Sequence, residues 1–127
     1  MARDPHLPHL PRAALIDAYG KGGFRFAGMA HRGSLLCLPN GIWAASVVTA
    51  ADISEEALAP VFANSAAIDY CLIGAGASAT VLPEPLRVRF RECGIAAEAM
   101  TTGAAVRTYN ILFGEGRRVA ALLIAVE

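Results

Sequence analysis

Ala66 to Thr80 reads AAIDYCLIGAGASAT, an apolar run that stops at two glycines. Ile68, Tyr70, Leu72 and Ile73 are bulky and mostly β-favouring, and no charge follows Asp69 in the run. That pattern suits a strand buried on both faces. The strand then needs a turn with little side chain, which Gly74-Ala75-Gly76 supplies. Downstream, Pro83-Glu84-Pro85 opens a helix with Leu86, Phe90 and Cys93 on its buried face. Arg87, Arg89, Arg91 and Glu92 lie mainly outside, and Gly94 ends the helix. Ile95 to Glu98 is the next strand. Thr101 or Thr102 caps a third helix that runs to Phe113 and stops at Gly114, and Val119 to Val126 is a last buried strand. Strand, helix, strand, helix, strand in this order implies parallel neighbours joined by crossovers.

Upstream the pattern changes. Met1 to Arg12 interleaves Pro5, Pro8 and Pro11 with His6 and His9 and reads as a flexible N-terminal segment, leaving residues 13–127 as a single domain. His6 and His9 could share a metal, but an unstructured pair without further ligands reads as solvated tail. Ala14 to Ala18 and Phe24 to Met29 read as short strands around the loop Tyr19-Gly20-Lys21-Gly22-Gly23. No helix follows that loop, so it reads as a connection and not as a phosphate cradle. His31-Arg32-Gly33 turns into Ser34 to Leu38, and Pro39-Asn40-Gly41 turns again into Ile42 to Val48, which makes the first half an antiparallel meander. Trp43 reads as a core or rim packer. Ser54, with Glu55 and Glu56 in its first turn, caps a helix expected to reach Asn64. The fold expected is an α/β single domain in three layers: a mixed central sheet, an N-terminal antiparallel β-meander and a C-terminal βαβαβ segment.

Composition bounds the function. Of 127 residues, 55% are hydrophobic and 17% charged, which predicts globular order. Eleven basic and eleven acidic side chains cancel, so the chain lacks the usual nucleic-acid footprint. The longest apolar run, Val119 to Val126, is too short for a membrane helix, and prolines stand where a signal peptide would place its apolar segment. Cys37, Cys71 and Cys93 are read as reduced, buried thiols of a cytoplasmic protein.

The candidate site lies where the parallel strands end. If the two strands are neighbours, the Gly74-Gly76 turn and the Thr101-Thr102 turn emerge at one rim of the sheet, where open sheets of this kind bind ligands. The third helix would aim its N-terminus there and favour anions. Arg107 and Asn110 share a helix face flanked by Gly103 and Gly114. The candidate ligand or partner crevice therefore comprises Gly74, Gly76, Thr101, Thr102, Arg107, Tyr109, Asn110 and Arg117. The structural alternative is that Arg107 pairs with Glu115 or Glu98 while Asn110 ties down a neighbouring loop. Gly74, Gly76 and Ala79, with Glu98 further on, also fit a dinucleotide fingerprint. Thr80 to Pro85 delays the helix that such a site needs at the glycines, which argues against nucleotide binding. No Ser-His-Asp or Cys-His set and no paired carboxylates emerge, so no catalytic residue, cofactor or metal site is expected.

Several short motifs in fixed order carry a resemblance. They are Tyr19-Gly20 with Gly23-Phe24, Gly33-Ser34-Leu35-Leu36 before Pro39, Trp43, Leu72-Ile73-Gly74-Ala75-Gly76, Glu98-Ala99-Met100-Thr101-Thr102, Thr108-Tyr109-Asn110 and Glu115-Gly116-Arg117. Together they resemble the Mth-like domain family of unknown function over residues 13 to 126. The resemblance implies a compact three-layer α/β domain, largely uncharacterised in bacteria. Its mitochondrial member is a non-catalytic assembly factor for a respiratory complex, working with partner proteins at the inner membrane. Val106 stands where many relatives carry cysteine, which argues against cysteine chemistry there. The implied function is non-enzymatic protein binding, with respiratory-complex subunits as candidate partners and no membrane insertion. The alternative is a small-molecule or anion binder, or an enzyme, using the crevice.

Overall fold

The computed structural model describes residues 8–127. The expected flexible segment falls mostly outside them, with His6 and any metal pairing through it. Its described part is held in place: the His9 amide and the Leu10 carbonyl hydrogen-bond Ile42 at 2.8 and 2.9 Å. Gly41 permits this, because a Cβ there would lie 2.8 Å from the Leu10 carbonyl oxygen.

The first half does not form one meander. Strands β1 (Ala18–Gly20), β2 (Gly23–Phe26) and β3 (Met29–Arg32) make a small antiparallel sheet of their own. Both of its turns have two residues, Lys21-Gly22 and Ala27-Gly28, all at positive φ, the geometry that matches strand twist in a tight hairpin. The sequence predicts one strand through Ala27-Gly28, because alanine rarely adopts that conformation and gives no turn signal. Tyr19-Gly20, expected in a loop, pair with Phe24 and Gly23.

Strands β4 (Ser34–Leu38) and β5 (Gly41–Ala45) form the expected hairpin but join the second half. A five-stranded mixed sheet has the order β5-β4-β8-β6-β7, with β6 (Tyr70–Gly74), β7 (Ala96–Met100) and β8 (Val119–Leu123). β6 runs parallel to both β7 and β8, and β4 pairs antiparallel with β8. The last strand of the chain therefore lies at the sheet's centre, which is why all five of its residues are buried. Along β4, β6 and β8, alternate side chains enter different cores. Leu36, Leu38, Cys71, Ile73, Ala120 and Leu122 face helices α1 (Ala59–Ala63) and α2 (Glu84–Glu92). Leu35, Cys37, Leu72, Ala121 and Leu123 face helix α3 (Thr102–Gly114) and the small sheet. Helices, mixed sheet, then helix with small sheet make the three layers of the expected α/β domain.

Helix α1 is a correction. Ser54 does cap, its hydroxyl accepting from the Ala57 amide at 3.1 Å, but only a run of turns follows. Pro60 has no amide hydrogen to bond the carbonyl four residues back, so it is accommodated only in a first turn, and α1 starts late and spans five residues. Helices α2 and α3 lie where their caps predict. Gly94 at φ 72° follows α2, and the Thr101 side chain accepts from Ala104 at the start of α3.

Candidate functional site

The two bends share one rim, as expected. Gly74 is opposite Met100 in the register, and the Ala75 amide donates to the Met100 carbonyl at 2.8 Å. Thr102 then closes the space between them. Its amide donates to the Gly76 carbonyl at 2.9 Å, its hydroxyl accepts from the Gly76 amide at 3.0 Å and donates to the Ile124 carbonyl at 2.7 Å. The Ile124 amide returns to the Gly74 carbonyl at 2.9 Å. Thr102 is wholly buried, and a Cβ at Gly74 would lie 3.0 Å from its Cα and 3.2 Å from the Ala105 Cβ. The small residues admit the chain's own backbone.

The remaining residues of the expected crevice divide by role. Tyr109 is buried, and its hydroxyl donates to the Ala14 carbonyl at 3.0 Å, while burial pushes its pKa up. Asn110 accepts from the Ile16 amide and donates to the Ile16 carbonyl, both at 2.9 Å, as a neighbouring strand would. That is the loop-tying role held as the structural alternative. Arg107 is exposed and pairs with neither Glu115 nor Glu98; among the described residues it has no hydrogen-bond or ion-pair partner. Arg117 lies at the opposite rim, past the end of α3 and before β8, 3.7 Å from Glu115. Its grouping with the Gly74 turn is corrected: α3 carries the chain back across the sheet between Thr102 and Arg117. Amides at the N-terminus of α3 serve Gly76 and Thr101, and the Tyr19 hydroxyl sits where a Cβ on Gly103 would fall. Helix α2 begins ten positions after Gly74, behind a bend and an irregular stretch, so the helix that follows this strand does not start at the glycine turn.

Two surface clefts escaped the sequence reading. One, about 730 Å³, lies between β5 and α1 and includes Trp43, Asp52, Glu56 and Asn64. The amides of Thr49 and then Val48 hold the Asp52 carboxyl below its usual range. The other, about 540 Å³, lies on the small sheet with Tyr19, Lys21, Arg25 and Arg32 in its lining. The detectable signal was alternation: Arg25 between Phe24 and Phe26 faces away from the core those rings fill. Cys37 and Cys71 are buried, with pKa values pushed up to about 12 by desolvation, and Cys93 is half-buried at the end of α2.

Comparison with known proteins gives the same architecture. A family model described as "Protein of unknown function (DUF498/DUF598)" matches residues 16–124. An uncharacterised protein of Rhodobacter capsulatus is 40% identical over 120 residues, covering 94% of this chain and 91% of that one. The mouse protein NADH dehydrogenase [ubiquinone] 1 alpha subcomplex assembly factor 3 is 32% identical over 114 residues; the match covers 90% of this chain and 62% of the mouse protein's length. Among solved structures, a Bartonella henselae protein described as an outer membrane protein aligns with a TM-score of 0.91 at 50% identity, covering 94% of this chain and all of that one. A Mth938-like domain from Bordetella pertussis aligns with a TM-score of 0.78 at 24% identity over 98% of this chain and 92% of that one, a likeness of fold.

Proposed function

This chain belongs to the DUF498/DUF598 family, and from that membership we propose that it is a non-enzymatic binding protein that assists assembly of a respiratory or membrane complex through protein contacts. The observation that carries the reading is the 32% identity, across 90% of this chain, to a protein whose name is that of a complex I assembly factor. Tyr109, Asn110 and Thr102 support it. They spend their polar groups on the chain's own backbone, as groups do that hold a scaffold together. Among the described residues no helix is long and apolar enough to cross a membrane.

Capture of the tagged chain after crosslinking in its native cells tests this. Reproducible recovery of respiratory-complex subunits is the expected outcome, and recovery of no subunit of any membrane complex overturns it. The alternative reading, a ligand at the Gly74-Thr102 rim, requires Thr102 to give up two hydrogen bonds. A panel of small acids and nucleotides that raises the melting temperature, with the rise lost in Thr102→Ala and Arg107→Ala, would favour that alternative.

A further inference from the structure

The charges of this neutral chain are segregated. Residues 33–86 contain no lysine or arginine, whereas the small sheet carries Lys21, Arg25 and Arg32 within fifteen residues and no acid. The downstream arginines are mostly engaged: Arg87, Arg89, Arg91, Arg117 and Arg118 each lie within 4.0 Å of a carboxylate. Among the described residues, Lys21, Arg25 and Arg32 have no ion-pair partner, and all three line the 540 Å³ cleft. Among the described residues no carboxylate lines it.

We propose that this cleft binds a phosphate group. The register sets the geometry. Arg25 is opposite Ala30 and Gly23 is opposite Arg32, so the two arginines are diagonal neighbours on one face. That places them roughly 7–8 Å apart at the backbone, within reach of one shared anion. Each guanidinium offers a planar fork of donors that matches phosphate oxygens. Between them the surface is bare: Gly20, Gly23, Ala18 and Ala30 contribute little or no side chain. Lys21 closes one end from a turn position at φ 53°, a conformation that turns of this type usually assign to asparagine or glycine. A strained residue kept beside an unpaired charge cluster suggests a use for its side chain. At that end a Glu127 carboxylate oxygen lies 4.0 Å from the place of a Cβ on Gly22, outside the lining.

The shape favours a small group over a polymer. The cleft's volume falls in the range of small-ligand sites, and three cations around one glycine floor form a focus, whereas a nucleic-acid groove needs a stripe. A soluble phosphorylated metabolite and a phospholipid headgroup share this chemistry. The inference stands apart from the proposed assembly role, since it rests on the small sheet alone.

Amide NMR of the full chain at low salt, titrated with inorganic phosphate and pyrophosphate, tests it. Shifts should concentrate at Gly20, Lys21, Gly22, Gly23 and Gly33, and salt should weaken them. The Arg25→Ala/Arg32→Ala double variant should lose roughly tenfold or more in affinity while keeping its melting temperature. Arg91→Ala, which removes an exposed arginine outside the cleft, should change nothing. Flotation with phosphatidylcholine vesicles, with and without phosphatidylglycerol, then separates the sources. Capture by the anionic vesicles, lost in the double variant, identifies a headgroup site, and soluble binding alone identifies a metabolite site. Shifts spread evenly over all exposed arginines, an unaffected double variant, or tighter binding of an oligoglutamate peptide than of pyrophosphate would each overturn the proposal.

Discussion

Thr102 ties three strand ends together with one hydroxyl, so its replacement measures how much the rim depends on polar closure. Thr102→Val keeps the shape but leaves a buried amide and a carbonyl short of partners. An expected loss of about 1–3 kcal/mol in urea unfolding checks this. Asn110→Ala removes both bonds to Ile16, and the expected cost is about 1–2 kcal/mol. Amide exchange should then rise at residues 13–17 before the sheet opens, since Tyr109 alone would hold that segment to α3. At this scale the candidate residues were legible, because small and polar types at strand ends and helix caps mark close approach. Their employment was not. A buried threonine can face a ligand or a backbone carbonyl, and only the chain that arrives there decides. Ile124, 22 positions away, decides for Thr102.

The elements found from sequence were those with their own punctuation. Helix α2 has prolines at its start and Gly94 after its end, and α3 has Thr101, so both stand where local capping puts them. Helix α1 was overextended because apolar spacing outweighed Pro60, although the missing amide hydrogen at that position was visible. The β2–β3 hairpin was missed for the opposite reason, since Ala27 adopts φ 50° without advertising a turn. Ala27→Asn creates the Asn-Gly pair that suits this geometry, and stability is expected to rise by about 0.5–1 kcal/mol, read from the thermal midpoint. A loss of stability would mean that the Ala27 methyl contributes packing that outweighs the relief of backbone strain.

Across the whole molecule, exposed ion pairs stitch the rim opposite Thr102. Arg118 reaches both oxygens of Asp69, at 2.7 and 3.0 Å, and the Ala66 carbonyl at 3.1 Å, joining the entry of β6 to that of β8. The Arg118 side chain, first by its hydrogen bonds, holds the Asp69 carboxyl below its usual 3.8. Because the folded value is the lower one, this contribution is present above the unfolded pKa and is lost as pH falls through the folded one. Urea midpoints measured from neutral to acid pH should therefore fall less steeply in Asp69→Asn than in the parent. The thiols give a second test of the layering. Cys93 should react with a thiol reagent in the native state while Cys37 and Cys71, buried on opposite faces of the sheet, wait for unfolding. Sequence by itself determined the class of fold: apolar runs such as Val119 to Val126 must be buried, and capped helices between them require parallel strands. Tertiary structure alone decided that the last strand occupies the sheet's centre, that the first half divides between two sheets, and that the crevice is filled. Periodicity records which faces avoid water, whereas strand order and the occupant of a glycine turn depend on pairings between residues far apart in the chain, which no local pattern encodes.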